Sequence, residues 1–189
     1  QIAGILAMVA RHGQLAYSDM WGMRDVEAGQ PIQLDTIFRI YSMTKPITSV
    51  AALMLYEEGQ FRLTDPVARY IPAFAETRVF VEKTEAGVVL SDLLRPITIR
   101  DLMTHTAGLA YGLDRSTYVD RLYVREIWNR IEQEPEIPLG ELIEIVAQQP
   151  LVFQPGSAWK YSIATDVLGY LVEVISGEPF AEFLQEWIL

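Results

Sequence analysis

A serine followed three positions later by a lysine is the first candidate for chemistry in this sequence, and the pattern occurs twice. The two copies read Ser42-Met43-Thr44-Lys45 and Ser157-Ala158-Trp159-Lys160. A serine hydroxyl becomes a nucleophile when a neighbouring base takes its proton, and a lysine amine is such a base when burial or another cation lowers its pKa. The pattern therefore indicates nucleophilic catalysis, although its duplication shows that the bare spacing is not specific.

The surroundings of the two copies differ, and they favour the first. Ser42 and Lys45 stand at the start of a predicted helix, where residues three apart share a face. The free N–H groups and the dipole at a helix N-terminus stabilise a developing oxyanion. Ser157 instead follows the turn-forming pair Pro155-Gly156. We therefore expect Ser42 to be the nucleophile and Lys45 a desolvated base, with the alternative that Ser42 only caps the helix and Lys45 points to solvent.

The elements that must position these residues follow from hydrophobic spacing. Apolar residues recur at helical intervals after Ser42 until Gly59, and because nearly every side of this helix is apolar we expect it at the centre of the core. Two apolar runs before it flank Gly13 and predict a hairpin. Two strands cannot bury a sheet face alone, so we expect the sheet to be completed outside this chain. Further predicted elements are a hairpin at 79–90 and helices at 98–104 (with a capping box), 119–131, 139–149 and 167–177.

The composition excludes several classes of function. The formal net charge of −10 disfavours nucleic acid as a partner, and the absence of cysteine excludes a thiolate nucleophile or a zinc–thiolate site. No apolar run approaches the roughly 20 residues that span a bilayer. The sequence contains no His-Glu-x-x-His pattern and no glycine-rich nucleotide loop. We therefore expect no metal site, no cofactor and no membrane span.

The segment from Ile40 to Thr48, Ile-Tyr-Ser-Met-Thr-Lys-Pro-Ile-Thr, resembles the first motif of the serine β-lactamase-related superfamily. The similarity is strongest to its class C-like carboxylesterases, known as family VIII esterases. Several ordered blocks are far more specific than one short motif, and together these cover essentially the whole chain. The further blocks that agree, in the right order, are residues 53–59 with 63–67, residues 97–109, residues 154–162 and residues 166–177.

The resemblance implies roles for a few more residues. The second motif of the family begins with a tyrosine, here Tyr161, which would relay a proton with Lys45 and Ser42. Ile163 stands where β-lactamases carry an asparagine that holds the amide side chain of the substrate, and this departure favours an esterase. Trp159 and Ile163 are candidates for substrate binding, with a packing role as the alternative for Trp159. The alternative for Tyr161 is an aromatic residue at the edge of the core beside Trp159. A catalytic role for His105 is disfavoured, because in this family that residue looks structural.

The fold implied by the resemblance is an α/β (α+β) fold of the β-lactamase/transpeptidase type, an antiparallel sheet flanked by helices together with a mostly helical domain. Residues 1–41 would supply N-terminal strands and residues 42–189 the helical domain, with the site in the cleft between them. The strands that carry a third motif would lie beyond Leu189, so a C-terminal half of the fold is an expected partner.

The expected activity is hydrolysis of short-chain esters through an acyl-enzyme. A small-molecule ester or amide is the expected substrate. The alternatives are a β-lactamase, a D-amino-acid peptidase, or a non-catalytic relative that serves as a binding or scaffold protein.

Overall fold

The structure is a computed structural model that describes residues 2–189. The chain divides into two compact units, one ending at Ser42 and the other running from Met43 to Leu189. The first unit contains an antiparallel sheet of strands β1 (Gly4–Arg11), β2 (Gln14–Asp25) and β3 (Gln30–Pro31), in that order. His12 and Gly13 both have positive φ, the backbone that a two-residue hairpin turn requires, and the predicted hairpin is confirmed.

The second unit is mostly helical. Its helices alternate with short 3-10 turns and with one antiparallel hairpin, formed by β4 (Val79–Thr84) and β5 (Gly87–Ser91). The helices are α1 (Thr44–Glu57), α2 (Ile99–Met103), α3 (Tyr118–Tyr123), α4 (Asn129–Gln133), α5 (Leu139–Ala147), α6 (Ala164–Ser176) and α7 (Phe180–Trp187), and one turn of π-helix, Val124–Trp128, joins α3 to α4. The 3-10 turns are Tyr41–Met43, which spans the boundary of the units, Val67–Arg69 and Pro72–Glu76.

Local sequence explains where two of these helices begin or end. The Thr98 hydroxyl accepts from the Asp101 N–H while the Asp101 carboxylate accepts from the Thr98 N–H, so the predicted capping box opens α2. Helix α6 ends at Gly177, whose φ of 76° lies in the left-handed region that glycine adopts at no steric cost. Its N–H donates to the Glu173 carbonyl, which would otherwise lack a partner within the helix.

The core of this unit is built around α1 and α6, which pack against each other. Ala51 and Ala52 of α1 are fully buried, and Leu55 is nearly so. The expectation that α1 lies at the centre of the core holds for the face that carries these residues, which packs on α6 and α7. The opposite face carries Val50, Leu53 and Tyr56, which are 48%, 40% and 41% exposed.

None of the helices formed by residues 2–189 combines the length and the apolar character that a bilayer span demands.

Candidate functional site

Lys45 lies in the first turn of α1 and its ammonium lies against two aromatic rings. The Nζ atom lies 4.9 Å from the ring centroid of Tyr161 and 5.9 Å from that of Tyr111. Both distances are within the range of cation–π attraction, which strengthens as the cation loses water. The side chain is half-buried. The Lys45 ammonium therefore lies against these rings rather than extending fully into solvent.

Ser42 occupies the 3-10 turn Tyr41–Met43 that leads directly into α1, and it is the last residue of the first compact unit. Its side chain is exposed. The preceding residue, Tyr41, has a φ of 47°, which is a strained conformation for a bulky residue. Such strain at a single residue is a feature of functional sites, where the backbone is held in one shape.

Tyr161 follows the turn at Gly156 and is held by a second stretch of chain. The Lys160 N–H donates to the His105 carbonyl at 3.0 Å, and the Ile163 N–H donates to the Ala110 carbonyl at 3.0 Å. The segment 160–163 therefore lies beside the segment 105–110. The imidazole of His105 stacks on the Tyr161 ring with a centroid distance of 5.1 Å and an interplanar angle of 24°. The structure thus brings Tyr161 and Lys45 together, although they are far apart in sequence.

The charge on Lys45 affects several ionisable groups in its neighbourhood. Burial raises the pKa of Asp166, in the first turn of α6, and the nearby ammonium opposes that shift. Burial also raises the pKa of Tyr111, with a further contribution from Asp166, while Lys45 again opposes it. The pKa of His105 is lowered, first by burial and then by the positive charge of Lys45. The site therefore combines one ammonium, two phenols, one carboxyl group and one imidazole in a partly desolvated space.

The second Ser-x-x-Lys copy has a different environment. The Lys160 ammonium lies 3.0 Å from a carboxylate oxygen of Asp120, whose side chain is fully buried. That carboxylate also accepts from the Gly112 N–H at 2.8 Å and from the Thr117 hydroxyl at 2.7 Å. The Ser157 hydroxyl donates to the Gln154 carbonyl at 2.7 Å. Lys160 and Ser157 are thus engaged in structural contacts, and the ion pair fixes the chain on one side of Tyr161.

Tyr111 is a residue of the site that the sequence analysis missed. Its ring lies 5.4 Å from that of Tyr161 and 4.9 Å from that of Trp128, whose indole N–H donates to the Tyr111 carbonyl. Trp128 closes the π-helical turn, and such turns are frequent near functional sites. Asp166 was missed as well. No local pattern marks either residue, because their relation to Lys45 depends on the packing of separate segments.

The two predicted substrate-binding residues have opposite exposures. Trp159 is 66% exposed and presents its ring edge-on to His105 at 6.2 Å. Ile163 is fully buried and belongs to the hydrophobic core, where its side chain meets no solvent. Packing therefore accounts for Ile163. Residues 2–189 contain no group of three or more His, Asp or Glu side chains that could hold a metal ion.

Comparison with known proteins identifies relatives of this chain. A family model described as Beta-lactamase matches residues 1–189. Esterase EstB from Burkholderia gladioli is 39% identical over 184 residues, which are 96% of this chain and 43% of EstB. A lovastatin esterase from Penicillium rubens is 33% identical over 179 residues, covering 93% of this chain and 43% of that protein.

A solved structure is also similar to this chain. The simvastatin synthase LovD from Aspergillus terreus superimposes with a TM-score of 0.79 at 31% identity, covering 99% of this chain and 47% of LovD. The chain therefore spans less than half the length of the relatives it matches. The similarity extends over practically all of the chain, so it includes both the Ser42–Lys45 segment and the segment that carries Tyr161.

Proposed function

Because the chain belongs to the Beta-lactamase family, we propose that the protein is a serine carboxylesterase that works through an acyl-enzyme, with Ser42 as the nucleophile. Its relatives include esterases and acyltransferases, which supports hydrolysis or acyl transfer as the class of reaction. Ester cleavage by this chain, its substrate and the roles of its residues are our proposal. Lys45 and Tyr161 are proposed to handle the proton of the Ser42 hydroxyl.

The observation that carries this proposal is the position of the Lys45 ammonium against the ring of Tyr161, 4.9 Å from its centroid. An amine and a phenol in a partly desolvated pocket can share one proton, because the positive ammonium and the negative phenolate stabilise each other. Lys45 stands three residues after Ser42 in the chain, in the first turn of α1, and the Lys45–Tyr161 pair is the proton acceptor that we propose for the predicted nucleophile. The ring of Tyr111 packs on that of Tyr161 with a centroid distance of 5.4 Å.

The proposed reaction has two steps. The Ser42 oxygen attacks the ester carbonyl, its proton passes to the Lys45–Tyr161 pair, and the carbonyl oxygen becomes an oxyanion stabilised by backbone N–H groups at the start of α1. When the intermediate collapses, the C–O bond to the alcohol breaks and the alcohol oxygen takes the proton back from the pair. Water then attacks the acyl-enzyme, the pair receives the proton of the water, and it returns that proton to Ser42 as the acid leaves.

Acyl transfer to an alcohol is a second outcome of the same acyl-enzyme. It differs only in the molecule that attacks in the second step. The exposed indole of Trp159 offers an apolar surface on which a hydrophobic acceptor could lie. Adding an alcohol acceptor to the assay distinguishes the two, because transfer forms a new ester at the expense of free acid.

The test compares the purified full-length protein with Ser42→Ala and Ser157→Ala variants on a p-nitrophenyl ester of a short acid. We expect Ser42→Ala to lose at least about 1,000-fold in kcat/KM, while Ser157→Ala stays within about twofold. Full activity of Ser42→Ala would contradict the proposal. Nitrocefin tests the β-lactamase alternative in parallel. Failure of the unsubstituted protein to react with both substrates and with a fluorophosphonate probe would support a non-catalytic relative.

A further inference from the structure

His105 adopts a backbone conformation that is unusual for a residue with a side chain. Its φ is 55°, in the left-handed region that residues with a side chain rarely adopt. The conformation is held from both sides, since the His105 N–H donates to the Leu102 carbonyl at 3.3 Å and its own carbonyl accepts from Lys160 at 3.0 Å. A hydrogen bond between the hydroxyls of Thr104 and Thr106 closes the turn around it.

The imidazole of His105 is fixed in the same way. One face stacks on the ring of Tyr161, and the Nδ1 atom lies 3.1 Å from the hydroxyl of Ser162. Ser162 is 1% exposed, and its hydroxyl oxygen also accepts from the N–H of Ala164 at 3.4 Å, at the start of α6. A ring with one face stacked and one nitrogen hydrogen-bonded to a buried group has little freedom to rotate. The Tyr161 ring that lies against it is confined with it.

We propose that His105 is a positioning residue that holds the phenol of Tyr161 in place against the Lys45 ammonium, and that it does so only while its imidazole is neutral. The strained backbone keeps the ring stacked on Tyr161 in one orientation. This inference rests on the proposed function, because it assigns His105 a part in the proton transfer for which Lys45 and Tyr161 are proposed. His105 itself touches neither the reacting oxygen nor the acyl group in this account.

The charges around the ring explain why the neutral form is required. The titratable groups that face it are Lys45 from α1 and Tyr161 from the segment 160–163, and Asp166 of α6 faces Lys45 in turn. Burial, and then the charge of Lys45, lower the pKa of His105, so the imidazole is neutral near pH 7. Protonation in acid would place a second positive charge in the pocket that must receive the Ser42 proton. Catalysis should therefore fall as the pH drops through the pKa of His105.

Two substitutions in the full-length protein separate the effect of the aromatic ring of residue 105 from the effect of its protonation. His105→Phe keeps an aromatic ring over Tyr161 but cannot be protonated. His105→Asn tolerates a positive φ but removes the ring. His12→Asn is the matched control, because His12 is the other histidine of the sequence and also has a positive φ, in the exposed turn between β1 and β2.

The readouts are kcat and KM as functions of pH, normalised to the sites that a fluorophosphonate probe labels, so that unfolded protein does not count. We expect His105→Asn to lower kcat at least about tenfold with KM changed less than about threefold, because the loss is one of orientation. His105→Phe should keep a larger kcat and should lose the part of the acid limb that His105 causes. An unchanged kcat in His105→Asn, or an unchanged acid limb in His105→Phe, would overturn the proposal.

A measurement without turnover keeps this test separate from that of the proposed function. Two-dimensional NMR of the imidazole C–H groups follows the histidines during a pH titration, and His105→Phe identifies the signal of His105. We expect that signal to titrate below the ordinary range of histidine and to shift when Tyr161 is replaced by Leu, which removes the stacked ring. A signal of ordinary pKa that ignores Tyr161→Leu would refute the packing role, whether or not the protein cleaves esters.

Discussion

Replacing Lys160 by methionine removes the cation of a buried ion pair while it preserves most of the volume of the side chain. The partner, Asp120, is fully buried, whereas the side chain of Lys160 is 24% exposed. Breaking a fully buried pair on one side costs about 3–5 kcal/mol, because the remaining charge is left without compensation. Asp120 keeps its hydrogen bonds from Gly112 and Thr117, and Lys160 is partly solvated, so we expect a loss of about 2–4 kcal/mol for Lys160→Met.

The assay is urea unfolding followed by far-UV circular dichroism, which reports on the helical unit. Arg78→Met is the matched control, since its partner Asp92 and Arg78 itself are 85% and 56% exposed, and such pairs contribute about 0–1 kcal/mol. Combining Lys160→Met with Asp120→Asn should recover at least about 1 kcal/mol relative to the sum of the single losses, because no buried charge remains unpaired. A cost of Lys160→Met equal to that of Arg78→Met would refute this reasoning.

Two further predictions also concern the stability of the fold. Burial alone would raise the pKa of Asp101, but its hydrogen bonds, led by those from Arg95, lower that pKa to about 2. Because the folded pKa lies below the unfolded value, this carboxylate stabilises the fold above about pH 4, and its contribution disappears as the pH falls from about 4 to 2. The free energy of urea unfolding should therefore fall by up to about 2 kcal/mol less in Asp101→Asn than in the unsubstituted protein across that range, and equal losses in the two proteins would contradict the assignment. Gly108→Ala should cost more than about 2 kcal/mol of unfolding free energy, because the φ of Gly108 is +85° and a Cβ there would lie 2.3 Å from the carbonyl oxygen of Phe153. Gly177→Ala is the control and should cost only about 1 kcal/mol, because Gly177 has a similar φ of +76° but open space around it. Equal losses of stability in thermal unfolding would show that the backbone clash at Gly108 is relieved.

Much of the local structure could be predicted from the sequence, because its causes are local. The helical spacing of apolar residues located α1, and the capping box at Thr98 located the start of α2. The hairpin at Gly13 followed from the presence of a glycine, which adopts a positive φ in a turn at no steric cost. Each of these elements depends on residues within a few positions of one another, so each can be predicted from a single sequence.

The parts that could not be predicted depend on contacts between distant segments. The two Ser-x-x-Lys copies could be ranked from their surroundings, but only packing shows that Lys160 belongs to Asp120 while Lys45 lies against Tyr161. The exposure of one face of α1 depends on how few elements cover that face, which the apolar pattern does not encode. Tyr111 enters the site through contacts with Trp128 and Tyr161, and no spacing rule connects those three residues.

The measurement that tests the central claim most directly is the site of covalent labelling by a fluorophosphonate probe. The full-length protein would be treated with the probe, digested, and its adduct located by tandem mass spectrometry, with Ser42→Ala and Ser157→Ala variants beside it. We predict one adduct, on the peptide that contains Ser42, absent from Ser42→Ala, retained in Ser157→Ala, and formed at least about tenfold more slowly when Lys45 is replaced by methionine. An adduct on another serine, or undiminished labelling of Ser42→Ala, would contradict the account.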